Sequence, residues 1–561
     1  MHAMLRSLVR LDGAILKKRF DARTRDPGTT QRRFLLRTVR RNEETEYGKK
    51  YGFSSIRSEN EYRKRVPPVT YGDIEPFIER VKQGRQYVLT ADRPSIFSLT
   101  SGTTAKPKFI PVTARTRKRT ARLMRQWLYR CLVDHPSLLD KNILTITSAA
   151  IEGRVSCGIP YGSASGLIYR NFPPVVRRAY VLPYLIGDIG NYDVRYFAMA
   201  RFSLQKEVSV AATPNPLTLV RVAETAVCNQ EEVIRSIRDG RFSSTLRLEL
   251  SKKDKAIVEQ LDSLLSPNPA RARVLEGIMR DYGELLPRHC RPELRLIGCW
   301  LGGSVGFQAE KLAAYYGAVP KRDLGYLASE GCISLPYEDN TPAGICALEN
   351  NYYEFVPEES SADESPPVVG AEELEEGRHY NVLLTNESGL YRYNISDTVR
   401  VAGFYNRTPV IAFVRKTRDF LNIVGEKIHV NQVMAALDEV SQAFAAQISQ
   451  FRVVANRDEF RYDFFLALDG DISMDILRLR IIPALDARLS ELNIEYKQKR
   501  GSRRLRPPCL HVMSPEWEKS IKKQMVESGK RDIQYKWSPL MPELFEPDRP
   551  FIVYTVKAQS D

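Results

Sequence analysis

The chain of 561 residues is short of the features that mark metal, membrane and repeat proteins. Its eight cysteines (Cys131, Cys157, Cys228, Cys290, Cys299, Cys332, Cys346 and Cys509) form no C-x-x-C pair, and its six histidines are scattered, so no zinc spacing is present. The thiols read as buried and reduced, and the expected location is cytoplasmic. No apolar run approaches 18 residues, which argues against a membrane-spanning helix. No Gly-Lys-Ser/Thr closes a glycine-rich loop at Walker A spacing, and no internal repeat is visible. Basic residues outnumber acidic ones by 84 to 68, a net charge of +16, but they are spread rather than blocked. That pattern describes a solvated surface that attracts small anions better than it describes a nucleic-acid stripe. The first 18 residues are basic and amphipathic, yet Asp12, Asp21 and Asp26 lie in or just after them. Transit peptides are poor in acids, so a structural first helix is expected.

What is present begins with Ser98-Leu-Thr-Ser-Gly-Thr-Thr-Ala-Lys-Pro-Lys108, which holds five hydroxyl side chains, one glycine and two lysines. Gly102 permits backbone angles that turn amide N–H groups toward an anion. Ser101, Thr103 and Thr104 add neutral donors, and Lys108 adds a positive charge. This is the composition of a phosphate-holding loop, although an ordinary Ser/Thr-rich turn has similar letters.

A chain of this length exceeds one compact core, so two or three domains are expected. Helices are expected at residues 5–19, 59–65, 70–81, where Asp73 can accept N–H bonds of the first turn, and 113–133. Short strands are expected at 87–90, 95–99, 108–112, 142–148, 208–212 and 294–300. Strand and helix alternate through this half, which predicts an α/β domain with its ligand at the C-terminal ends of the strands. From residue 345 the character changes to an antiparallel meander, interrupted by a solvated acidic loop at 357–377. A polar stretch, 415–419, is a plausible hinge. Beyond it, strands at 450–454 and 461–468 and a helix at 474–489, bent at Pro483, predict a small α+β domain. The boundaries are 1–415 for a large N-terminal domain and 416–561 for a small C-terminal one.

Four further stretches offer chemistry. Gly302-Gly303-Ser304 follows a strand, where its close backbone admits a flat base. Tyr326-Leu-Ala-Ser-Glu330 offers an aromatic face, a hydroxyl and a carboxylate. Asp397 follows Tyr391-Arg-Tyr and is suited to the hydroxyls of a ribose. Lys536 sits in Gln534-Tyr-Lys near the end. Each alone reads equally as a turn, a surface acid, a strand-end cap and a solvated lysine.

In this order the stretches resemble the Gretchen Hagen acyl acid amido synthetases of the adenylate-forming superfamily. The carriers are Thr100-Ser-Gly-Thr-Thr-x-x-Pro-Lys108, Tyr326-x-Ala-Ser-Glu330, Tyr391-Arg-Tyr-x-x-x-Asp397 with Gly403-Phe404, and Gln534-Tyr-Lys536. The resemblance runs from about Tyr71 to Lys536. It implies a large domain that binds ATP and acyl acid, a mobile small domain, ATP and Mg²⁺ as cofactors, and a carboxylic acid and an amine, usually of an amino acid, as substrates. The acid is adenylated with loss of pyrophosphate, and the amine then displaces AMP to form an amide. It also implies that Ser101, Thr103, Thr104 and Lys108 hold the phosphates. Gly303, Ser304 and Tyr326 border adenine, Ser329 touches the phosphate side, and Glu330 holds Mg²⁺. Asp397 binds the ribose, with Phe404 packed near it, and catalytic Lys536 enters from the small domain.

The phosphate loop is shorter than in plant members, Ala328-Ser329 replaces two serines, and Trp537-Ser-Pro replaces a Pro-Arg pair. These departures suggest a bacterial-type member and leave the acid and the acceptor open. The alternatives are an adenylate-forming ligase with a thiol acceptor, CoA or a carrier protein, and a non-catalytic basic binding protein. Pocket walls are expected in residues 116–127 and 159–168.

Overall fold

The structure is a computed structural model that describes residues 2–100, 108–146, 151–162, 174–243, 250–361, 363, 365–416, 420–470, 472–528 and 537–558. It divides into two compact units, Met1–Val414 and Arg415–Asp561.

Long amphipathic helices open the first unit. His2–Thr24 is followed by Pro27–Arg41, whose start is set by Asp26: its carboxylate accepts the Thr29 N–H at 3.1 Å, and Pro27 occupies the first turn. The helix Tyr71–Lys82 is closed at its start by Thr70 and Asp73, with the Asp73 carboxylate taking the Thr70 N–H at 2.8 Å. Residues 87–90, expected as a strand, are instead a bent segment clamped by backbone bonds from Glu46 to Tyr87 and from Tyr47 to Val88. Tyr87 has φ +55°, which interrupts an extended run.

Three sheets follow. Pro94–Thr100 pairs antiparallel with Lys108–Thr113, with Thr100 opposite Lys108, and parallel with Pro160–Gly162. A parallel sheet has the order Asn142–Thr145, Val208–Ala212, Leu296–Gly298, Lys321–Arg322. Helices alternate with its strands in the chain: Ala114–Asp134 precedes the first, and Tyr192–Gln205 lies between the first and the second. The third sheet, six-stranded, has the order Tyr352–Pro357, His379–Thr385, Tyr393–Tyr405, Thr408–Lys416, Gly344–Cys346, Ser334–Leu335. These elements form the expected α/β arrangement with a meander.

The Tyr391-Arg392-Tyr393 motif turns out to be a structural anchor. Tyr391 is fully buried, stacks on Tyr47 at 4.9 Å between ring centres and donates its hydroxyl to the Leu89 carbonyl at 2.7 Å. Arg392, at φ +46°, gives its Nε to the Glu354 carboxylate at 2.9 Å and an N–H to the Val66 carbonyl at 2.9 Å. Glu354 is also held by Arg63 at 3.1 Å, while the buried Arg392 guanidinium has this carboxylate as its ion-pair partner among the described residues, so losing Glu354 would strand a charge in the core. The anchor fixes where Tyr393–Tyr405 starts, and so where Asp397 lies.

The second unit is a five-stranded sheet in the order Leu540–Met541, Gln447–Asn456, Arg461–Asp469, Cys509–Met513, Ile552–Lys557. Val430–Phe444 and Ile482–Leu492 pack on it through Val433, Leu437, Leu485 and Leu489. The turn before Pro483 is a π-helix, Leu477–Ile481, so the irregularity expected at that proline is present. Most of the cysteines are buried, but Cys228 is exposed and Cys157 half-buried, contrary to the expectation for all eight. Among the described residues no helix is long and apolar enough to cross a membrane.

Candidate active site

The site of the first unit lies where strand ends meet. After Leu296–Gly298 the chain runs through Cys299-Trp300-Leu301-Gly302-Gly303. After Lys321–Arg322 it runs through Asp323-Leu324-Gly325-Tyr326. Both segments leave the C-terminal ends of neighbouring parallel strands. Asp323 ties them together: one carboxylate oxygen accepts the Leu301 N–H at 2.6 Å and the other the Gly325 N–H at 2.6 Å. Burial pushes this carboxyl up to about 7, against the pull of the two N–H groups that favour its charged form.

Tyr326 to Ile333 is a tight hairpin. Ala328 and Gly331 exchange backbone bonds at 2.9 and 3.2 Å, which puts Ser329 and Glu330 at its tip. Ser329 shares a hydroxyl bond of 3.1 Å with Ser98 on Pro94–Thr100. The Asn386 side chain donates to the Glu330 carbonyl at 2.8 Å and fixes the tip from the third sheet. The Tyr326 hydroxyl donates to the Asp397 carboxylate, and both groups are buried. Burial first, then the charges of Asp397 and Glu330, push the Tyr326 phenol well above its ordinary range. Burial and the charges of Glu330, Tyr71 and Asp397 do the same to Tyr393. Both phenols therefore remain hydrogen-bond donors at any physiological pH. Glu330, at the hairpin tip, supplies a hard carboxylate, which is donor chemistry that fits Mg²⁺.

Lys108 opens the strand Lys108–Thr113, with its ammonium 5.5 Å from the Tyr71 ring centre, and the next N–H, of Phe109, donates to the Tyr71 hydroxyl at 3.0 Å. Residues 101–107 join the paired strand ends Thr100 and Lys108. Ser101, Thr103 and Thr104, in this connection, lie outside the described residues, as does Lys536. Gly303 stands immediately before the helix Ser304–Glu310 at φ +59° and ψ −153°, a conformation open only to glycine.

Phe404 is not part of this cluster. It is 42 % exposed and lies seven positions beyond Asp397 on Tyr393–Tyr405, roughly 20 Å away at the rise of an extended strand. The aromatic group at the site is Phe413 on Thr408–Lys416. A Cβ on Gly303 would stand 2.8 Å from its Cε1, and its ring centre is 5.5 Å from that of Tyr326. Nothing in the local sequence separates Phe413 from any other phenylalanine of a β-strand; only the sheet order brings it against Gly303. Of the expected pocket wall, Trp127 packs over the end of Leu296–Gly298, since a Cβ on Gly298 would lie 3.0 Å from its ring, and its indole N–H donates to the Asp323 carbonyl at 2.7 Å.

The second unit brings Asp463, Cys509 and His511 together, a grouping that sequence spacing did not show. Its carboxylate is already held by Asn456 at 2.7 Å and Arg461 at 2.9 Å.

Three family models match the chain: the GH3 family N-terminal domain over residues 16–321, the central domain over 344–416 and the C-terminal domain over 429–543. The jasmonoyl-L-amino acid synthetase JAR4 of Nicotiana attenuata is 25 % identical over 482 residues, covering 82 % of each chain. The indole-3-acetic acid-amido synthetase GH3.2 of Arabidopsis thaliana is 26 % identical over 454 residues, covering 76 % of this chain and 80 % of its own. The solved structure of the GH3.15 acyl acid amido synthetase superposes with a TM-score of 0.85 at 18 % identity, over 98 % of each chain.

Two outcomes are expected of this geometry. Phe413→Ala should weaken AMP binding by about tenfold, measured by calorimetry, while Phe404→Ala leaves it unchanged. The reverse result would return Phe404 to the site. For Asp323, the folded value of about 7 lies above the ordinary 3.8, so the native state binds more protons between them. Its contribution to stability is then fully present below 3.8 and is lost as the pH rises through 7. Relative to wild type, Asp323→Asn should gain stability steadily over that window in denaturant titrations. A difference independent of pH would contradict the shift.

Proposed function

The chain belongs to the GH3 family, and from that premise we propose that it is an ATP-dependent ligase that joins a carboxylic acid to an amine, releasing AMP and pyrophosphate. The observation that carries this reading is the convergence of Tyr326, Ser329, Glu330 and Asp397 beside Ser98, on the strand whose end, Thr100, pairs with Lys108.

A carboxylate is a poor acyl donor because its leaving group would be oxide. In the first step a carboxylate oxygen attacks the α-phosphorus of ATP, and the P–O bond to pyrophosphate breaks with its electron pair leaving on pyrophosphate. In the second the amine nitrogen attacks the acyl carbon, the C–O bond to AMP breaks, and the nitrogen loses a proton to solvent. In this reading Gly303, Ser304 and Tyr326 border the adenine, and Phe413, packed on Gly303 and against Tyr326, backs that wall. Asp397 takes the ribose hydroxyls and is held in orientation by the Tyr326 hydroxyl. Ser101, Thr103, Thr104 and Lys108 take the phosphates, with Ser329 on the same side. Glu330 holds Mg²⁺, which when bound neutralises charge on the departing pyrophosphate. Lys536 of the C-terminal unit adds positive charge in adenylation and withdraws for amide formation. The large domain, residues 1–415, would bind nucleotide and acid, and residues 416–561 would move between the half-reactions.

Relatives named for jasmonate and for indole-3-acetate share this family, so the family does not choose the acid. Incubation with ATP, pooled carboxylic acids and pooled amino acids should yield an amide and AMP, read by mass spectrometry. A thioester formed only when CoA replaces the amino acids would overturn the amine acceptor. Lys536→Ala should lower the rate of adenylation by about 10²–10³-fold with ATP affinity retained. Parallel loss of affinity and rate would remove it from the transition state.

A further inference from the structure

Neighbouring strands of the second unit bring a carboxylate, a thiol and an imidazole together. Arg461–Asp469 and Cys509–Met513 run parallel, with Asp463 opposite Cys509 and Phe465 opposite His511. Ile552–Lys557 lies antiparallel on the other side of Cys509–Met513, with Thr555 opposite His511. Side chains alternate along a strand, so Asp463, Phe465, Cys509 and His511 share one face of the sheet. Asp463 and Cys509 are buried, and the His511 side chain is only 13 % exposed. One ligand atom from each of Asp463, Cys509 and His511 lies within 4.8 Å of the other two.

The contacts around these groups fix them without using them up. His511 Nδ1 shares a hydrogen bond of 2.8 Å with the Thr555 hydroxyl, and its ring stacks on Phe465 at 4.4 Å between centres. Its Nε2 is buried and has no hydrogen-bond partner. That atom stands 3.7 Å from Oδ2 of Asp463, too long for a hydrogen bond. The gap is close to the ~3.4 Å between two ligand atoms of a tetrahedral zinc ion with bonds of about 2.0–2.1 Å. Asn456 donates to Oδ2 at 2.7 Å and Arg461 to Oδ1 at 2.9 Å. Each carboxylate oxygen has two lone pairs, so Oδ2 can hold the Asn456 N–H and a metal together. Metal-binding carboxylates and imidazoles are oriented by outer hydrogen bonds of this kind, and Asn456, Arg461 and Thr555 supply them here. The Cys509 thiol has only a long contact to the Val556 carbonyl, at 3.5 Å.

We propose that Asp463, Cys509 and His511 form a zinc-binding site, with water in the fourth position. Thiolate, imidazole and carboxylate are donors that zinc takes together, whereas magnesium and calcium take oxygen alone. Binding forms one bond to each of the three side chains and releases the Cys509 proton to solvent. The thiolate and the carboxylate balance the two charges of the ion, so the site is neutral beside Arg461. The ion ties Arg461–Asp469 to Cys509–Met513 through side chains as well as through the backbone. None of the three ligands belongs to the Tyr326–Asp397 cluster, so the proposal stands whether or not the ligase reading does.

The test is titration of the full chain, freed of metal by a chelator, with Co²⁺ as a spectroscopic stand-in for zinc. One equivalent should give a thiolate-to-cobalt charge-transfer band in the near ultraviolet and tetrahedral ligand-field bands in the visible. Added Zn²⁺ should abolish both by displacement. Cys509→Ser should remove the charge-transfer band. Thr555→Val takes away only an outer contact of His511 and should weaken Co²⁺ binding about tenfold or more, which keeps the test open if Cys509→Ser fails to fold. Cys228 is exposed and Cys157 half-buried, so both thiols are within reach of the probe, and replacing them with serine should leave the spectrum unchanged. Zn²⁺ should also raise the unfolding temperature of wild type and not that of Cys509→Ser. Absence of a charge-transfer band at millimolar Co²⁺, a band that survives Cys509→Ser, or Co²⁺ affinity unchanged in Thr555→Val would overturn the proposal. So would a band lost on replacing Cys157 and Cys228, since the metal would then sit on an accessible thiol.

Discussion

The site depends on the hydrogen bond from the Tyr326 hydroxyl to the Asp397 carboxylate. It joins the segment that leaves the parallel sheet to a strand of the six-stranded sheet, and it does so in the interior. A buried carboxylate needs donors, and a buried phenol needs an acceptor. Each meets the other's need, and the desolvation that makes the pair obligatory also keeps the phenol protonated. Two sheets with different topologies are thereby held in register at the point where a nucleotide would have to contact both.

The surroundings serve the same contact. Asp323 holds Leu301 and Gly325, so the glycine pair and the tyrosine leave neighbouring strands in a fixed relation. Gly303 lets the backbone pass directly under the Phe413 ring, where any side chain would collide. On the other side, Tyr391 against Tyr47 and Arg392 against Glu354 pin the start of the strand that carries Asp397. The Tyr-Arg-Tyr letters build the support, while Asp397, the residue proposed for the ribose, lies four residues beyond Tyr393.

What the sequence made legible follows from how local each feature is. The hairpin tip at Ser329 and Glu330, the helix closed at its start by Asp73, and the irregular turn before Pro483 depend on near neighbours, and they are legible in the sequence. The alternation of short apolar runs and helices sufficed for the α/β class, and the motif order sufficed for the family. The resemblance implies Phe404 beside the ribose, but its ring is exposed. Phe413, nine residues on, lies against Gly303 and Tyr326 because Thr408–Lys416 passes beside the glycine pair, a fact of sheet order that local letters do not carry. Residues 87–90 have the letters of a strand but are bent by contacts with Glu46 and Tyr47, about forty residues earlier. The Asp463, Cys509 and His511 grouping is likewise a product of pairing across distant segments.

The measurement that tests the central claim most directly is ATP–pyrophosphate exchange across a panel of aromatic and aliphatic carboxylic acids with no amine present. The account predicts exchange that requires an acid and that falls sharply in Asp397→Ala, because the first half-reaction is complete without an acceptor. Exchange that is absent with every acid, in a protein shown by calorimetry to bind ATP, would contradict it.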